Sequence, residues 1–421
     1  MKKKYIFKKC RIGLFLLLIW TLLSFTDKGN QPVQSIKFNI PKSYLQEAGN
    51  IPPFWITTVD EVNDYIKKNV HKGTYSVVGK SAGGRDILAV FYGNPREGTG
   101  TTTLSGSMAI NSIEAYRGKD FQKTVYLGMA GVHGFELEGI MGIINLIAIL
   151  ETGQDLNGKK WPEIEAMRDS LDRIILLPLV NPDGRARVPI RMESYKGYAP
   201  DANLVHEYLN TGGKEGGKII GWPDVKKYIP MDFSKFEFPG GYPNDNGVNI
   251  MHDDFLGKVQ PETSMLLQLT AKEKPDLIMN MHTGVGRNDY FIHVLPNDCE
   301  DALLPVWQAL YATVITKLTQ EKLQKNDDFL TKQNASLPIK SDIRSKKTAY
   351  NLNTALNFNC GALSVLIEAP SHGYSGIYDD GEPVRQTPEK LLEAELIVHR
   401  EAMRFLHHTG GRYNWSTTFM K

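Results

Sequence analysis

Apolar residues recur along the chain with two different rhythms. Compact runs rich in β-branched residues at 74–80 (TYSVVGK), 86–93 (DILAVFYG), 124–132 (TVYLGMAGV), 173–180 (RIILLPLV), 276–281 (DLIMNM), 289–295 (DYFIHVL) and 362–367 (ALSVLI) read as strands. Residues 81–84 (SAGG) turn the first into the second as a hairpin. Between the strands lie segments with helical spacing. Residues 55–73 open on a Thr58–Glu61 capping box, and 136–153 are largely apolar, hence buried, and stop at Gly153. Residues 262–274, 301–323 and 387–411 complete the set, the last closed by glycine. Strands alternating with helices predict an α/β sheet covered by helices.

Four of these runs end abruptly in polar or ionisable residues. They run into His133-Gly-Phe-Glu136, into Asn181-Pro-Asp-Gly184, into His282 and into Glu368. If the four are neighbouring strands, two histidines and two glutamates meet along one edge, the edge where open α/β sheets place their chemistry. His133 and Glu136 stand three apart where a strand gives way to a helix, so both reach a single ion. H-x-x-E by itself is a weak signal; His282, from the end of another strand, completes a His2Glu set. Catalytic zinc uses three protein ligands and keeps its fourth position for water. The expectation is therefore one Zn2+ per chain, held by His133, Glu136 and His282. Glu368, directly after an apolar strand, is expensive to bury without a partner or a task, and it is the candidate general base of a hydrolysis. No G-x-S-x-G elbow lies between a strand and a helix, which argues against a serine hydrolase.

With 41% hydrophobic and 23% charged residues, the 421-residue chain is neither disordered nor a polytopic membrane protein in composition. Its N-terminus stands apart. MKKKYIFKKCR is strongly basic and precedes IGLFLLLIWTLLSF, an apolar run of 14 residues where a bilayer span takes roughly 20. Residues 1–26 are thus expected to be an export signal, or an N-terminal membrane anchor where uncleaved, and the product to be periplasmic or extracellular. The net charge of +2 rests on Lys2, Lys3, Lys4, Lys8, Lys9 and Arg11. Without them the chain is mildly acidic, a poor nucleic-acid binder. Cys299 and Cys360 are too few for a disulfide framework, although an oxidising compartment would allow them to pair. Residues 27–53 read as a lead-in, 54–410 as one catalytic domain and 411–421 as a tail. Residues 192–246, rich in Gly, Pro, Tyr and Lys, read as an elaborated loop leaving a strand end that faces the site, where long loops are commonly functional.

Taken in order, Val78-Gly-Lys-Ser-Ala-Gly-Gly-Arg-Asp-Ile87, Gly131-Val-His-Gly-Phe-Glu136, Asn181-Pro-Asp-Gly184, Pro261-Glu-Thr263, Pro275-Asp-Leu-Ile-Met-Asn-Met-His282 and Leu366-Ile-Glu368 resemble the motifs of the zinc carboxypeptidase family, peptidase family M14. The resemblance covers most of the chain after the export segment. It implies a mixed eight-stranded sheet flanked by helices, with His133, Glu136 and His282 on zinc. It also implies a peptide or amide substrate, and Glu368 as the base that later protonates the leaving amine.

The departures from that pattern carry information too. Where the family usually has G-V-D-x-N-R-N, this chain reads Gly247-Val-Asn-Ile-Met-His-Asp253. The family's Asn-Arg pair grips the substrate's terminal carboxylate, whereas Met251 donates nothing and His252 lacks the guanidinium fork. His252 is retained as a substrate-binding candidate. Asn249 replaces the aspartate that orients a zinc histidine, and it accepts the imidazole N–H without a charge. Among Arg185, Arg187 and Arg191, the last lies about ten residues after Asn181, as the oxyanion arginine does in one branch of the family, and is expected to bind substrate. Tyr350, upstream of Glu368, is the expected stand-in for the family's mobile tyrosine. The sum is an exported, zinc-dependent, metallocarboxypeptidase-like hydrolase of peptide bonds. The altered clamp keeps open an amidase or endopeptidase acting on peptides without a free terminal carboxylate, cell-wall peptide included. A non-catalytic peptide-binding protein of the same fold is the third alternative.

Overall fold

All seven strand-like runs pair into one mixed sheet. They form β1 (Thr74–Lys80), β2 (Asp86–Gly93), β3 (Val125–Ala130), β4 (Arg173–Leu177), β5 (Leu277–Thr283), β6 (Phe291–His293) and β7 (Leu363–Ala369), in the spatial order β1-β2-β4-β3-β5-β7-β6. The computed structural model describes residues 38–195, 202–221, 224–225, 230–284, 291–293, 303–323, 350–372, 375–377 and 383–418. Residues 1–26, expected to be an export signal, and Cys299 lie outside the described residues. Among the described residues the sheet has seven strands, not the eight implied by the family resemblance. The chain's own apolar runs number seven, and the eighth strand came from the resemblance alone.

Strands β4, β3, β5 and β7 run parallel at the centre, while the β1–β2, β2–β4 and β6–β7 pairings are antiparallel. The helices that matter here are α1 (Val59–Asn69), α2 (Leu137–Thr152), α3 (Pro182–Arg187), α4 (Ala202–Thr211), α5 (Pro261–Glu273), α6 (Leu304–Gln320), α7 (Leu352–Cys360) and α8 (Pro388–Thr409). Alternation along the strands divides the core in two. Tyr126, Met279, Met281, Val365 and Ile367 pack with residues of α1, α2, α6 and α8. Leu127, Met129, Ile278 and Leu366 pack on the other face with residues of α5 and α7. Helix α2 is apolar almost all round because it is covered on several sides, by β5, α8 and α1. Its expected stop holds: Gly153 takes a left-handed φ of 83°. The Thr58–Glu61 capping box also forms at the start of α1.

Two segments are more regular than their composition suggested. Within 192–246 the chain forms α4, which buries Val205, Tyr208 and Leu209 at helical spacing, and a short strand pair, Gly213–Lys214 with Lys218–Ile219. The tail begins with a further helix, Gly411–Thr418, whose Trp415 is fully buried. Cys360 is a free, buried thiol that burial pushes up to about 12. None of the described helices is long and apolar enough to cross a membrane.

From β3 the chain crosses to β4 on one side and only later returns to β5 on the other. The crevice beyond the carboxyl ends of β3 and β5 is therefore the point where the winding reverses, the usual ligand position in such sheets.

Candidate metal centre

The loop after β3 carries His133 and Glu136 on a backbone that leaves no room for larger residues. Gly131 turns the chain at φ 64°. A Cβ on Gly134 would lie 2.1 Å from the backbone nitrogen of Arg185, so only glycine lets this loop rest on α3. Gly134 N–H then donates to Gly241 O at 2.8 Å. Glu136 closes the loop immediately before α2. His282 arrives from β5, the strand beside β3, and the three side chains meet.

His133 Nδ1 lies 2.7 Å from Glu136 Oε1, His282 Nδ1 lies 2.8 Å from Glu136 Oε2, and the two Nδ1 atoms are 3.3 Å apart. All three groups are buried, and their ligand atoms fall within 4.8 Å of one another. Two nitrogens each about 2.05 Å from a common tetrahedral zinc would stand about 3.3 Å apart, which matches the imidazole pair. The donor set and its spacing fit a zinc ion. Asn249 Oδ1 sits 3.1 Å from His133 Nε2 and also accepts Met251 N–H at 3.0 Å. That second bond identifies the atom as the oxygen, so Nε2 is the protonated nitrogen and Nδ1 faces the centre.

Electrostatics separate the two histidines. Burial lowers the pKa of His133 and outweighs Glu136 there. Burial also opposes a charge on His282, but the Glu136 carboxylate in contact with it, with Glu368 beyond, raises its pKa. Glu136 is held ionised: its burial penalty is overcome by His133 and His282. Glu368 is the register partner of His282 on the adjacent parallel strand β7, so the two residues point to the same side of the sheet.

Several contacts here had no mark in the sequence. The Tyr242 ring stacks on His133, centroids 3.6 Å and planes 5° apart, and burial, then the charge of nearby Glu136, raises the pKa of its phenol. Asn210 of α4 donates to Glu136 Oε1 at 3.3 Å, and Thr283 N–H donates to Glu136 Oε2 at 3.3 Å. Tyr242 and Asn249 belong to a loop pinned by residues of the other sequence motifs. Arg85 bridges Asp183 and Asp245 at 2.7 Å each, and Gly83 N–H donates to Asp183 at 2.8 Å. Glu262 accepts from Ala82 N–H at 2.9 Å and from Asn244 at 3.0 Å. These motifs hold the roof of the site instead of entering it.

The remaining candidates fall elsewhere. Arg191, expected at the oxyanion position, directs its guanidinium to Glu61 at 2.6 Å and is 42% exposed. Arg185 is buried, and its three nitrogens donate to the carbonyls of Thr57, Val188 and Ile190. Arg187 is spent on Gly240 O, Pro243 O and Asp245. Tyr350 is 43% exposed and stacks on Phe358 and against Phe255, not on the metal cluster. His252 is half-buried at the end of a short turn, Ile250–His252, in which Met251 is buried.

Comparison with known proteins agrees with this geometry. The sequence profile of the zinc carboxypeptidase family matches residues 62–286, which include His133, Glu136 and His282 but stop short of Glu368. No curated protein matches the chain in sequence. Among solved structures, a candidate carboxypeptidase from Burkholderia mallei is 12% identical with a TM-score of 0.50, the match covering 83% of this chain and 67% of that one. A candidate carboxypeptidase A from Shewanella denitrificans is 15% identical (TM-score 0.48, coverage 83% and 70%). A metallo-carboxypeptidase from Burkholderia cenocepacia is 12% identical (TM-score 0.48, coverage 82% and 69%). At such identities the first likeness speaks for the fold alone, whereas the profile takes in more than half of the sequence and the whole ligand set: the chain belongs to the zinc carboxypeptidases, peptidase family M14.

Proposed function

We propose that the protein is a zinc-dependent hydrolase of peptide or amide bonds, acting outside the cytoplasm after export directed by its N-terminal segment. The observation that carries this reading is the meeting of His133, Glu136 and His282 within 4.8 Å, with Glu368 in register beside His282. When bound, a zinc ion polarises the scissile carbonyl and acidifies a water molecule. Glu368 takes the proton of the attacking water and returns it to the departing amine. Asn249 and Tyr242 hold the His133 ring from its edge and its face, so the imidazole needs no reorientation to act as a ligand.

Removal of metal is expected to abolish hydrolysis and zinc to restore it, while Glu368→Gln retains the metal and loses turnover by about 10²–10⁴-fold. Activity indifferent to thorough chelation overturns the reading. A zinc-loaded protein that binds peptides and shows no Glu368-dependent hydrolysis of a peptide library supports a binding role instead.

The substrate's end is a separate matter. Met251 is buried where the family's clamp asparagine stands, His252 takes the place of its arginine, and Arg185, Arg187 and Arg191 are each engaged elsewhere. These observations favour substrates without a free terminal carboxylate, and so an amidase or endopeptidase. Matched peptides ending in a free acid or an amide test this: the amide is expected to be cleaved at least as fast, and a strong preference for the acid overturns it.

A further inference from the structure

The first turn of helix α2 contains a glutamate that the chemistry above does not use. Glu138 is fully buried two residues beyond Glu136, in a helix otherwise nearly apolar. A buried carboxylate is costly unless its oxygens are occupied, and here three donors occupy them. Thr283 Oγ1 donates to Oε2 at 2.8 Å, while His372 N–H donates to Oε1 at 2.8 Å and His372 Nδ1 stands 3.2 Å away. Thr283 follows His282 on β5, and His372 follows Glu368 by four residues beyond β7. One side chain therefore ties down both strand ends that deliver the site.

We infer that Glu138 is a positioning residue: by fixing Thr283 beneath the sheet it sets the orientation of His282 above it, and by fixing His372 it sets the end of β7 that carries Glu368. The inference rests on the metal-site reading given above. Successive strand residues point to opposite faces, so anchoring Thr283 on the helix side leaves His282 little freedom on the crevice side. Helix and strand touch closely here, since a Cβ on Gly139 would lie 2.6 Å from Met281 Cβ. Thr283 N–H also donates to Glu136, and Gly284 N–H donates to Ala369 O at 2.8 Å. The ends of α2, β5 and β7 are thus locked at one level. On its far side His372 Nε2 lies 3.1 Å from Glu193 O, so the same clamp reaches the segment that follows α3.

The test is zinc affinity of the full chain, measured by competition with a chromophoric chelator, alongside the unfolding midpoint of the metal-free protein. Thr283→Val keeps the shape and the strand preference and removes only the hydroxyl. Its zinc Kd is expected to rise about 10-fold or more, the effect of losing support behind a ligand, and Thr283→Ser to return it to within about 3-fold of wild type. If Thr283→Val does not fold, Glu138→Gln serves: its amide has one acceptor oxygen where the carboxylate has two, so it cannot accept from both Thr283 and His372, and a rise of about 10-fold in zinc Kd with kcat falling more than KM supports the inference. A merely structural glutamate lowers the unfolding midpoint and leaves zinc Kd and kcat alone, and that result overturns it. Wild-type protein that binds zinc while the variants match it sinks this inference only. Wild-type protein that binds no zinc removes the metal-site reading and this one with it.

Discussion

The His133 imidazole and the Tyr242 phenol lie face to face, 3.6 Å between centroids and 5° from parallel. The phenol also lies near enough to Glu136 for that carboxylate to raise its pKa after burial has done so, so one side chain adjoins two of the three candidate ligands. Tyr242→Ala removes the stacked ring and its phenol and is expected to weaken zinc binding by about 10-fold or more, in the range for partners that orient ligands. Tyr242→Phe keeps the stacking and should fall between Ala and wild type. Equal affinities for all three proteins would show that the ring is only packing.

Asn249 accepts the His133 N–H without a negative charge. Asn249→Asp supplies that charge and makes the imidazole a better donor of its lone pair, so zinc Kd is expected to tighten by about 10-fold. An unchanged or weaker Kd, by the same chelator competition, refutes this.

His206 lies 2.9 Å from Glu193 in a buried pair. Burial disfavours its charge, but Glu193 outweighs burial and raises the pKa from 6.5 to about 9. The folded state therefore binds the proton more tightly than the unfolded chain. The stabilisation is complete below about pH 6.5 and is lost as pH rises through about 9, with a size on the order of 3 kcal/mol. Thermal unfolding of the metal-free protein should show a falling midpoint over this window, and His206→Gln should flatten the curve. A wild-type midpoint that rises there contradicts the assignment.

The Arg191–Glu61 pair is partly exposed, at 42% and 29% of the side chains. Such pairs contribute at most about 1 kcal/mol. Arg191→Ala is expected to shift stability by no more than that and to leave kcat/KM within about 2-fold. A loss of about 10-fold or greater in kcat/KM would return this arginine to the substrate.

Arg85 joins two aspartates, one of them, Asp183, fully buried. Arg85→Ala leaves Asp183 with the bonds it accepts from Ser81, Gly83 N–H and Asp245 N–H, and no charge partner from Arg85. The cost is expected to be about 1–3 kcal/mol by urea unfolding, with the loop bearing Tyr242 and Asn249 loosened first. Faster proteolysis within residues 240–249 is the accompanying sign, and its absence would detach that loop from the knot.

The ligand set and the glutamate beside it were legible because a parallel strand that ends in an ionisable residue points to the one edge where charge is useful. His133, His282 and Glu368 each announce themselves by interrupting an apolar run, and Glu136 by its spacing from His133. Tyr242 had no such mark: its place depends on Asp183 and Asp245 folding the loop back, a contact between segments far apart in sequence. Arg191 shows the converse. Its distance from Asn181 suited a substrate contact, but spacing along an irregular segment does not set direction, and beyond Val188 the chain runs towards α1, where Glu61 receives it. Glu138 was visible as an acid inside an apolar helix, yet only the position of Thr283 and His372 gives it meaning. Helix α4 was hidden by the glycines and prolines around it.

His133 and His282 are 149 positions apart in the polymer. A chain threaded unfolded through a translocation pore keeps those donors on separate stretches of polypeptide, and so brings no tightly held ion with it. With export as proposed, metallation belongs to the compartment where the chain folds, and the supply of free zinc there, not in the cell interior, governs how much of it matures.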